Sequence, residues 1–523
     1  MLTLDFSKNS TIPLYKQIYE YFAKEIRLGI LKENSKLPSV RELTKKLGVS
    51  KNTVESAYQQ LCAEGYVVSV AKSGFVVTKV QEIFKFSEDK KIDENKISDL
   101  EKNQVSKNFD KSDFIDVSSS RVDEGMFPSS VLKNLYRQAV SGDSSKNFLC
   151  RGDNLGEEDF RKTLALHLFE SRGVKCSYKQ IVIGAGTEYL LSLAVKIIEK
   201  YKSRINKTEN SKLVFAVENP GYEKTESIIC DNGAIVKKIN LDESGISVEQ
   251  IKASEVDCVY CTPAHQYPMG ITMPISRRSE LLSWAYECQL SEFKCDTKYD
   301  KNSKDNYDIK YDNYNMTNCR FIIEDDYDSD YRYQGNPIPA LQGFDTRDCV
   351  LYLGTFSRSL SPSMRVSYLV LPNRLLDIFE QEMSYYSNTV SRIEQYVLNK
   401  FIYDKHFERH INRTRKIYEQ RRNVLIKALY DKIPDIKIYG EDSGLHFIAK
   451  LDDRKYDNKS FKYDTKNMTN IYTTIIKKAF DKKLLIGGTE SFLIFCYAHI
   501  DESQAKQIAD ILCQIIQENM MSY

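Results

Sequence analysis

The chain has 523 residues, of which 41% are hydrophobic and 28% charged. This composition is typical of a globular protein and excludes a disordered or fibrous one. The formal net charge is only +2, from 75 basic and 73 acidic residues, which excludes a protein that is basic throughout. No apolar run approaches the ~20 residues that span a bilayer, and the N-terminal residues contain no apolar signal-peptide core. We therefore expect a cytoplasmic protein that does not interact with a membrane.

The charge is distributed unevenly along the chain. Residues 1–81 contain 12 Lys and Arg against 7 Asp and Glu, a net charge of +5, which leaves −3 for the remainder. Much of residues 82–114 is about half charged, and such a segment buries too little apolar surface to fold. We expect a basic head of residues 1–81, a charged linker of residues 82–114 and a mildly acidic body of residues 115–523. Two segments rich in Asp, Lys, Asn and Tyr, 291–319 and 452–470, are predicted to be surface insertions.

The first elements of the head are three predicted helices. Pro13 suits the first turn of a helix that carries an apolar stripe. Ser39, with Glu42 three residues later, forms the pattern of a capping box and opens a second, short helix. Ser50 is placed to cap a third helix that runs to about Ala63.

Two short alternating strands, 66–70 and 75–77, follow these helices, with Lys72 and Ser73 in the turn between them. Three helices and a hairpin within about 80 residues predict a winged helix-turn-helix, an α+β DNA-binding domain.

The segments PLYKQIYEYFAKEIRLGIL and KLPSVRELTKKLGVSKNTVESAYQQLCAEGYV resemble the GntR family of bacterial repressors almost position for position. The resemblance implies binding to a double-stranded DNA operator. Hydroxyl groups at helix N-termini suit phosphate contacts, the residues beside them can reach base edges, and the wing tip can enter the minor groove. For the two serines taken singly, a role only as helix caps is the alternative. The predicted DNA-contacting residues are Ser39, Arg41, Ser50, Lys51, Asn52, Thr53, Tyr58, Lys72 and Ser73.

Apolar strands alternate with amphipathic helices in the body. The near-continuous apolar runs 181–186, 213–218, 256–263, 319–327 and 350–357 are typical of buried parallel strands. Ligand sites in such α/β folds lie at the C-terminal ends of the strands. Polar residues gather at those ends, so we expect a ligand site there.

The segments GAGTEYLLSLA, ENPGY, TPAHQYPMGITMP, EDDYDSDYRY and YLGTFSRSLSPSMRVSYLVLP resemble the fold-type I pyridoxal-phosphate aminotransferases. Together with the head, the whole chain resembles the MocR-type transcriptional regulators, in which a GntR-type head is fused to an aminotransferase-like body. The resemblance implies an α/β body with a mostly parallel sheet, pyridoxal 5'-phosphate as ligand, and a homodimer that presents two DNA-binding heads.

The resemblance also implies a role for each residue at the strand ends. Asp325 would meet the pyridine nitrogen of the cofactor, Tyr327 would hydrogen-bond the ring hydroxyl, and Tyr222 would stack on the ring. A strand-to-helix turn and two side chains would hold the phosphate. His265 would lie beside the ring, and its alternative role is that of a hydrogen-bonded core histidine. The predicted cofactor-binding residues are Gly186, Thr187, Glu188, Tyr222, His265, Asp325, Tyr327, Ser357, Arg358 and Arg365.

Position 358 departs from the family pattern. The motif TFS is followed in the family by the lysine that forms a Schiff base with the cofactor, but this chain has Arg358 and no lysine between Lys310 and Lys400. A guanidinium stays protonated and is not an amine nucleophile. Two less certain departures are Ile494, where the family usually has a carboxylate-binding arginine, and Arg151, where many relatives have a tyrosine. We therefore predict no catalytic residues and a non-covalent small-molecule effector, pyridoxal phosphate or an amino-acid adduct of it.

Two other functions remain open at this point. An active aminotransferase with a DNA-binding domain is the first, and Arg358 argues against it. A ligand-free dimerisation scaffold is the second, and the retention of Asp325, Tyr327, Ser357 and Arg365 argues mildly against it.

No metal site is expected, and the twelve cysteines show no disulfide framework. Cys258 and Cys261 form a lone CxxC in a predicted buried strand. His406 and His410 have helical spacing without the glutamate of a zinc-protease motif, so they are predicted to lie on a solvated helix face. The aspartates that follow Asp325 are interpreted as loop and cap residues: Asp326, Asp328 and Asp330.

Overall fold

The structure, a computed structural model, describes residues 13–70, 74–78, 114–118, 121–141, 148–206, 212–290, 320–333, 337–451 and 465–521. The chain divides into two units, residues 1–110 and 111–523. The predicted linker up to residue 113 and the predicted insertion at 291–319 lie outside the described residues. Lys72 and Ser73 lie outside them as well.

The head consists of three helices followed by an antiparallel hairpin, as predicted. Its elements are α1 (Leu14–Arg27), α2 (Val40–Leu47), α3 (Lys51–Ala63), β1 (Val67–Val70) and β2 (Gly74–Val77). Ile18 and Phe22 of α1 are buried against Val54 and Leu61 of α3, which gives this small domain a core of its own.

The helix starts in the head follow from local capping. The Ser39 hydroxyl accepts a hydrogen bond from the backbone N–H of Glu42 (3.2 Å), and the Ser50 hydroxyl accepts one from Thr53 (3.2 Å). Each bond satisfies a backbone donor that has no partner inside its helix. Gly48 adopts the left-handed conformation (φ 60°) that ends α2 and turns the chain into α3.

The strands and helices of the body alternate along most of its length. The strands are β3 (Ile115–Asp116), β4 (Ile181–Gly184), β5 (Val214–Asn219), β6 (Ile235–Asp242), β7 (Gly245–Ile246), β8 (Cys258–Cys261), β9 (Phe321–Asp326), β10 (Val350–Thr355), β11 (Ser367–Val370), β12 (Ile436–Tyr439), β13 (His446–Leu451), β14 (Leu484–Leu485), β15 (Gly487–Gly488) and β16 (Leu493–Cys496). The helices are α4 (Ser129–Ser141), α5 (Glu158–Arg172), α6 (Thr187–Asn206), α7 (Glu223–Asp231), α8 (Val248–Ala253), α9 (Ile275–Leu290), α10 (Asn373–Ile378), α11 (Arg392–Tyr403), α12 (His406–Lys432), α13 (Thr465–Asp481) and α14 (Glu502–Met521).

The main sheet of the body has eight strands in the order β4-β11-β10-β9-β8-β5-β6-β7. Its strands are parallel except for β11 and β7, which are antiparallel to their neighbours. A second, antiparallel sheet has the order β12-β13-β16-β15, and β3 pairs with β14. This architecture confirms the predicted α/β fold with a mostly parallel sheet.

The centre of the main sheet is covered on both faces. All six residues of β9 are buried, which is the pattern of a parallel strand between two helical layers. Because Asp325 and Asp326 are the last two residues of β9, the fold places two carboxylates at a buried strand end. Such groups require partners, and those partners define the site.

The second predicted insertion differs from the structure at its end. Helix α13 begins at Thr465, so residues 465–470 are helical, whereas residues 452–464 lie outside the described part of the chain. In the described residues, no helix is both long enough and apolar enough to cross a membrane.

Candidate functional site

The N-terminal ends of α2 and α3 form the predicted DNA-binding face of the head. Arg41 lies in the first turn of α2, and Lys51 and Asn52 open α3; all three side chains are exposed. Lys51 pairs with Glu55 one turn later (3.1 Å), an exposed pair that contributes little to stability. The exposed cationic and amide groups are therefore available to phosphates and base edges.

Ser39 and Ser50 cap their helices as predicted, since their hydroxyls accept from backbone N–H groups. The Thr53 hydroxyl is hydrogen-bonded to that of Ser50 (2.8 Å). A cleft of about 410 Å³ lies beside the start of α3, lined by Pro13, Leu14, Tyr15, Asn52, Thr53 and Ser56.

Tyr58 is not part of this face, and the prediction that it contacts DNA is wrong. Its side chain is fully buried and packs edge-on against Phe22 and Phe75, with ring centroids 5.7 and 4.9 Å away. Its hydroxyl donates to the carbonyl of Pro38 (2.9 Å), and burial raises its pKa. The helical spacing of Val54 and Tyr58 was the sequence signal for an inward-facing position.

The start of α6 forms one end of the candidate pocket in the body. Gly186 has φ +98°, and a Cβ in its place would lie 2.3 Å from Nη2 of Arg365. A glycine is therefore required for the close approach of this guanidinium. Arg365 pairs with Glu188 (2.7 Å), and Lys224 lies 3.9 Å from the same carboxylate. Helix α6 begins at Thr187. Because the first backbone N–H groups of a helix lack intrahelical partners, the N-terminal end of α6 suits an anion.

Ser357 lies just beyond the end of β10, where its backbone N–H donates to the Thr355 hydroxyl (3.1 Å). The Thr355 hydroxyl also accepts from Ser367 of β11 (2.8 Å). These bonds hold the backbone of the turn that carries Ser357 and Arg358.

Asp325 lies at the centre of the site with one satisfied oxygen and one unsatisfied oxygen. Tyr260 of β8 donates its hydroxyl hydrogen to Oδ2, whereas Oδ1 is buried without a partner in the described structure. Burial raises the pKa of Asp325 to about 7, although the hydrogen bond from Tyr260 acts in the opposite direction. A buried unpaired oxygen of this kind suits a ligand that donates a hydrogen bond. No local pattern in β8 marks Tyr260 as the hydrogen-bond partner of Asp325, which lies 65 residues further along the chain.

His265 is held by an acidic partner that the sequence analysis assigned to a loop. Its Nδ1 lies 3.1 Å from both carboxylate oxygens of Asp328, and the Tyr327 hydroxyl lies 3.2 Å from the same nitrogen. The His265 and Tyr327 rings are stacked with centroids 6.1 Å apart. The Nε2 atom of His265 is buried without a partner in the described residues. His265 is thus a hydrogen-bonded core histidine that keeps one nitrogen open.

Asp328 and His446 extend this cluster. Burial raises the pKa of Asp328, but the neighbouring His265 outweighs it and leaves that pKa lowered. His446, also missed by the sequence analysis, has a pKa lowered to about 3 by burial, so its ring is neutral. Ligand atoms of His265, Asp328 and His446 lie within 4.8 Å of one another. Since Asp328 bonds His265 and the backbone of Leu445, and His446 bonds the carbonyl of Pro268, hydrogen bonds explain this arrangement without an ion.

Tyr222 offers an aromatic face at the start of α7. Its side chain is 39% exposed and packs edge-on against Tyr267, with ring centroids 5.9 Å apart. Nζ of Lys224 lies over the same ring, 6.0 Å from its centroid, so Tyr222 is a partly exposed aromatic side chain with a cation beside it.

Arg358 lies at the same edge of the sheet as Asp325. Strands β10 and β9 are parallel, with Gly354 opposite Asp326, so the turn after β10 lies beside the turn after β9. The positive charge of Arg358 opposes the rise in pKa that burial causes in Asp325 and Tyr327. Within the described part of the chain, Arg358 itself forms no hydrogen bond or ion pair. Among the described residues, the site therefore contains a cation that no hydrogen bond or ion pair engages.

Two predictions about charged groups near the site are wrong. Asp326 is buried and accepts from Arg172 (2.7 Å) and from the Tyr352 hydroxyl (2.6 Å), so it is a buried ion-pair residue rather than a cap. Asp328 is buried against His265, as described above. No local pattern indicates either partner, because Arg172 lies 154 residues from Asp326 and His265 lies 63 residues from Asp328.

His410 is the third such correction. It is buried, not solvated, and donates its Nε2 hydrogen to the carbonyl of Ser359 (2.8 Å). The helical repeat of Phe407, Ile411 and Thr414, all buried on α12, was the available signal for this inward face. His406, one turn earlier, is only partly exposed.

The other sequence-derived residues lie as follows. Cys258 and Cys261 are buried in β8 as predicted, and burial raises the pKa of both thiols, which keeps them protonated. Ile494 is buried in β16 opposite Ile448. Arg151 donates to the hydroxyl of Ser387 (2.8 Å).

A separate surface cleft of about 670 Å³ shares none of these residues. Two of its basic side chains, Lys200 and Arg204, pair with Glu382 (3.3 and 2.9 Å).

These observations define a helix-turn-helix DNA-binding regulator with an aminotransferase-like body. Residues 14–77 match the gntR family of bacterial regulatory proteins, and residues 326–512 match aminotransferase class I and II, a fold family that binds pyridoxal phosphate.

Comparison with individual proteins agrees. The uncharacterized HTH-type transcriptional regulator YdeL of Bacillus subtilis is 34% identical over 453 residues, 86% of each chain. The probable rhizopine catabolism regulatory protein MocR of Rhizobium meliloti is 27% identical over 456 residues, 86% of this chain and 84% of the relative. The kynurenine aminotransferase of Pyrococcus horikoshii, solved in complex with PMP, has the fold of the body, with a TM-score of 0.59, 21% identity and coverage of 81% of this chain and 94% of its own. The chain belongs to the MocR-type family of GntR transcriptional regulators.

Proposed function

We propose that this regulator binds pyridoxal phosphate, or an amino-acid adduct of it, non-covalently in the body, and that this ligand controls DNA binding without transamination. The observation that carries the proposal is Arg358. It lies beside Asp325 at the sheet edge, in the position that the family resemblance gives to the Schiff-base lysine. The sequence has no lysine between Lys310 and Lys400.

The residues present fit the ring of pyridoxal phosphate. The unpartnered Oδ1 of Asp325 would accept a hydrogen bond from the pyridine nitrogen. An unsatisfied buried oxygen costs roughly 1–3 kcal/mol, so a ligand that donates to it recovers that free energy. The partly exposed ring of Tyr222 would stack on the pyridine ring, and the hydroxyl of Tyr327 would bond a ring substituent.

A second group of residues would hold the phosphate. The start of α6 at Thr187, the turn residue Ser357 and the guanidinium of Arg365 supply the donors of a phosphate site. Arg365 is paired with Glu188 in the unliganded protein, so a phosphate must displace this carboxylate.

Bound pyridoxal phosphate supplies an electron sink for reactions at an amino acid's α-carbon. This chain does not supply the lysine amine that such reactions use as nucleophile and proton carrier. Arg358 stays protonated at neutral pH and cannot replace it. Ligand binding in the body therefore serves as a signal in this proposal.

We further propose that the protein is a homodimer whose two heads bind paired half-sites. Tethering two heads raises the effective concentration of the second after the first has bound. A ligand changes operator affinity only if it binds two conformations of the dimer with different affinity.

Titration of the purified protein with pyridoxal phosphate and pyridoxamine phosphate, followed by calorimetry and visible absorbance, tests the proposal. We expect reversible binding and no transamination of any amino acid. Asp325→Asn should weaken binding at least tenfold, and Asp242→Asn, at an exposed ion pair with Arg277, should not. Turnover of an amino acid would favour an active aminotransferase. Absence of binding would favour a ligand-free scaffold.

Genome-wide mapping of bound DNA, with and without the ligand, tests the regulatory half of the proposal. Ligand-dependent occupancy of a defined set of sites is expected. Occupancy that does not respond to a ligand shown to bind would contradict control of DNA binding by the body.

A further inference from the structure

We infer that the ligand of the body carries a second anion, a carboxylate on the substituent at C4' of the pyridoxyl ring, and that Arg358 binds this carboxylate. This inference rests on the proposed function, because it assumes a pyridoxyl phosphate in the pocket. It identifies the ligand class as carboxylated pyridoxyl phosphates, such as compounds formed when an amino acid's amine condenses with the aldehyde and releases water.

The pocket contains three groups without partners among the described residues. Oδ1 of Asp325 and Nε2 of His265 are buried without partners, and the guanidinium of Arg358 has neither a hydrogen bond nor an ion pair among the described residues. A pyridine nitrogen satisfies Asp325. It leaves the cation of Arg358 uncompensated, and a partly buried cation without a counterion is unfavourable.

The neighbouring carboxylates do not neutralise Arg358. Asp328 is engaged by His265 (3.1 Å) and by the backbone N–H of Leu445 (3.2 Å). Asp325 accepts from Tyr260 at Oδ2, and its Oδ1 is the atom that would accept from the pyridine nitrogen. Neither carboxylate lies within ion-pair distance of Arg358, so the counterion must come from the ligand.

The phosphate of the ligand is not this counterion. The anion site at the start of α6 already has a cation, Arg365, in contact with Glu188. The charge of Arg358 acts on Asp325, Tyr327 and Asp328 at the ring end, whereas Arg365 and Lys224 are the cations that lower the pKa of Glu188 at the phosphate end. The pocket therefore has two cationic positions for two anionic groups.

The sign of the charge at C4' decides which ligands are favoured. Pyridoxamine phosphate presents an ammonium there, which the guanidinium repels. A carboxylate can accept two parallel hydrogen bonds from a guanidinium, and such charge-assisted pairs are stronger than neutral ones. A hydroxymethyl group, as in pyridoxine phosphate, is neutral and gains no charge-assisted bond.

The backbone that carries Arg358 is fixed on both sides. Ser357 donates its N–H to Thr355 (3.1 Å), His410 donates to the carbonyl of Ser359 (2.8 Å), and Leu360 donates its N–H to the carbonyl of Phe356 (2.9 Å). A fixed backbone lowers the entropy lost when the side chain binds an anion.

Calorimetry with three probes tests the inference: N-(5'-phosphopyridoxyl)-alanine, pyridoxine phosphate and pyridoxamine phosphate. All three have the same ring, phenol and phosphate. The alanine adduct and pyridoxamine phosphate both carry a protonated amine on C4', and only the adduct adds a carboxylate. We expect the alanine adduct to bind roughly 10- to 100-fold more tightly than pyridoxine phosphate, and pyridoxamine phosphate to bind most weakly.

Two substitutions separate the role of Arg358 from general damage to the pocket. Arg358→Gln should abolish the preference for the alanine adduct while leaving pyridoxine phosphate affinity within about threefold, and Arg358→Lys should retain part of the preference. Arg347→Gln, at an arginine that stacks on Tyr286, is the matched control and should change nothing. Thermal unfolding of each variant verifies that it is folded.

The outcomes distinguish this inference from the proposed function. If pyridoxine phosphate binds as tightly as the alanine adduct, or if Arg358→Gln keeps the preference, the inference is overturned and the proposed function stands. If none of the three probes binds the folded wild-type protein, the proposed function fails and this inference fails with it.

Discussion

Tyr260 and Asp325 form a hydrogen bond between two adjacent parallel strands, with the tyrosine hydroxyl donating to Oδ2 of the carboxylate. The second oxygen of Asp325 is buried and unpartnered in the described structure. The fold thus holds a carboxyl in a position that is unfavourable for stability and suited to a ligand. Buried polar groups that lower stability in this way are expected at functional sites.

Asp325→Asn should stabilise the unliganded protein at neutral pH. The pKa of Asp325 is about 7 in the folded protein, against its ordinary value of 3.8. Because the unfolded chain loses this proton at lower pH than the folded protein does, wild-type stability falls as pH rises from about 4 through about 7. The asparagine amide does not ionise, so the stability of Asp325→Asn does not fall with pH for this reason.

Thermal unfolding of both proteins between about pH 5 and about pH 8 tests this prediction. The melting temperature of Asp325→Asn minus that of the wild type should grow by several degrees as pH rises. Glu218 and Glu324, whose pKa burial also raises to about 7, are present in both proteins and cancel in the difference. A difference that does not change with pH would refute the raised pKa.

Arg41→Ala should weaken operator binding by roughly 5- to 150-fold, because this exposed side chain can contact a base edge or a phosphate. Stability of the head should stay unchanged. Tyr58→Phe provides the contrast, since it removes a bond to the Pro38 carbonyl and should cost about 1 kcal/mol of stability without a direct loss of DNA contacts. Fluorescence anisotropy with labelled operator DNA and thermal unfolding measure the two effects. Equal DNA affinity of Arg41→Ala and wild type would remove Arg41 from the interface.

Glu188→Gln should increase affinity for inorganic phosphate and for pyridoxal phosphate several-fold. The Glu188 carboxylate pairs with Arg365 (2.7 Å) and competes with a phosphate for it, whereas an amide of the same shape competes less. Glu226→Gln, in an exposed pair with Lys238 (2.8 Å), is the control and should have no effect. Calorimetric titration checks both variants. Weaker phosphate binding by Glu188→Gln would show that Glu188 supports the site instead of competing for it.

Arg172→Met should destabilise the body by roughly 3–5 kcal/mol, because it leaves the buried carboxylate of Asp326 without its cation. Lys252→Ala breaks an ion pair of similar length with Glu287 (2.6 Å) that is about half exposed, and should cost at most about 1 kcal/mol. Urea unfolding of the three proteins measures the difference. Similar costs for the two substitutions would contradict the assigned role of burial.

Local signals in the sequence were sufficient for the head and for the strand ends. Ser39 and Ser50 were placed correctly because helix capping depends on residues three positions apart. Asp325 and Gly186 were placed at strand ends because a buried parallel strand leaves a near-continuous apolar run. The assignment of the body's fold rested on such runs in the correct order.

Partners distant in the sequence were not predictable in this way. Asp328 pairs with His265, 63 residues away, and Asp326 pairs with Arg172, 154 residues away. Pairings of this kind depend on how the helices and loops pack, which local patterns do not encode. Tyr58 and His410 are different, since the helical spacing of their buried neighbours did mark them as inward-facing.

Chemical trapping of the ligand tests the central claim most directly. Wild-type protein and Arg358→Lys are saturated with pyridoxal phosphate, treated with borohydride and weighed by mass spectrometry, with excess pyridoxine phosphate as competitor in a parallel sample. We predict that the wild type binds pyridoxal phosphate reversibly and carries no competitor-sensitive label, whereas Arg358→Lys gains one phosphopyridoxyl group. A competitor-sensitive label on a lysine of the wild-type protein would contradict non-covalent binding and restore the possibility of an active enzyme.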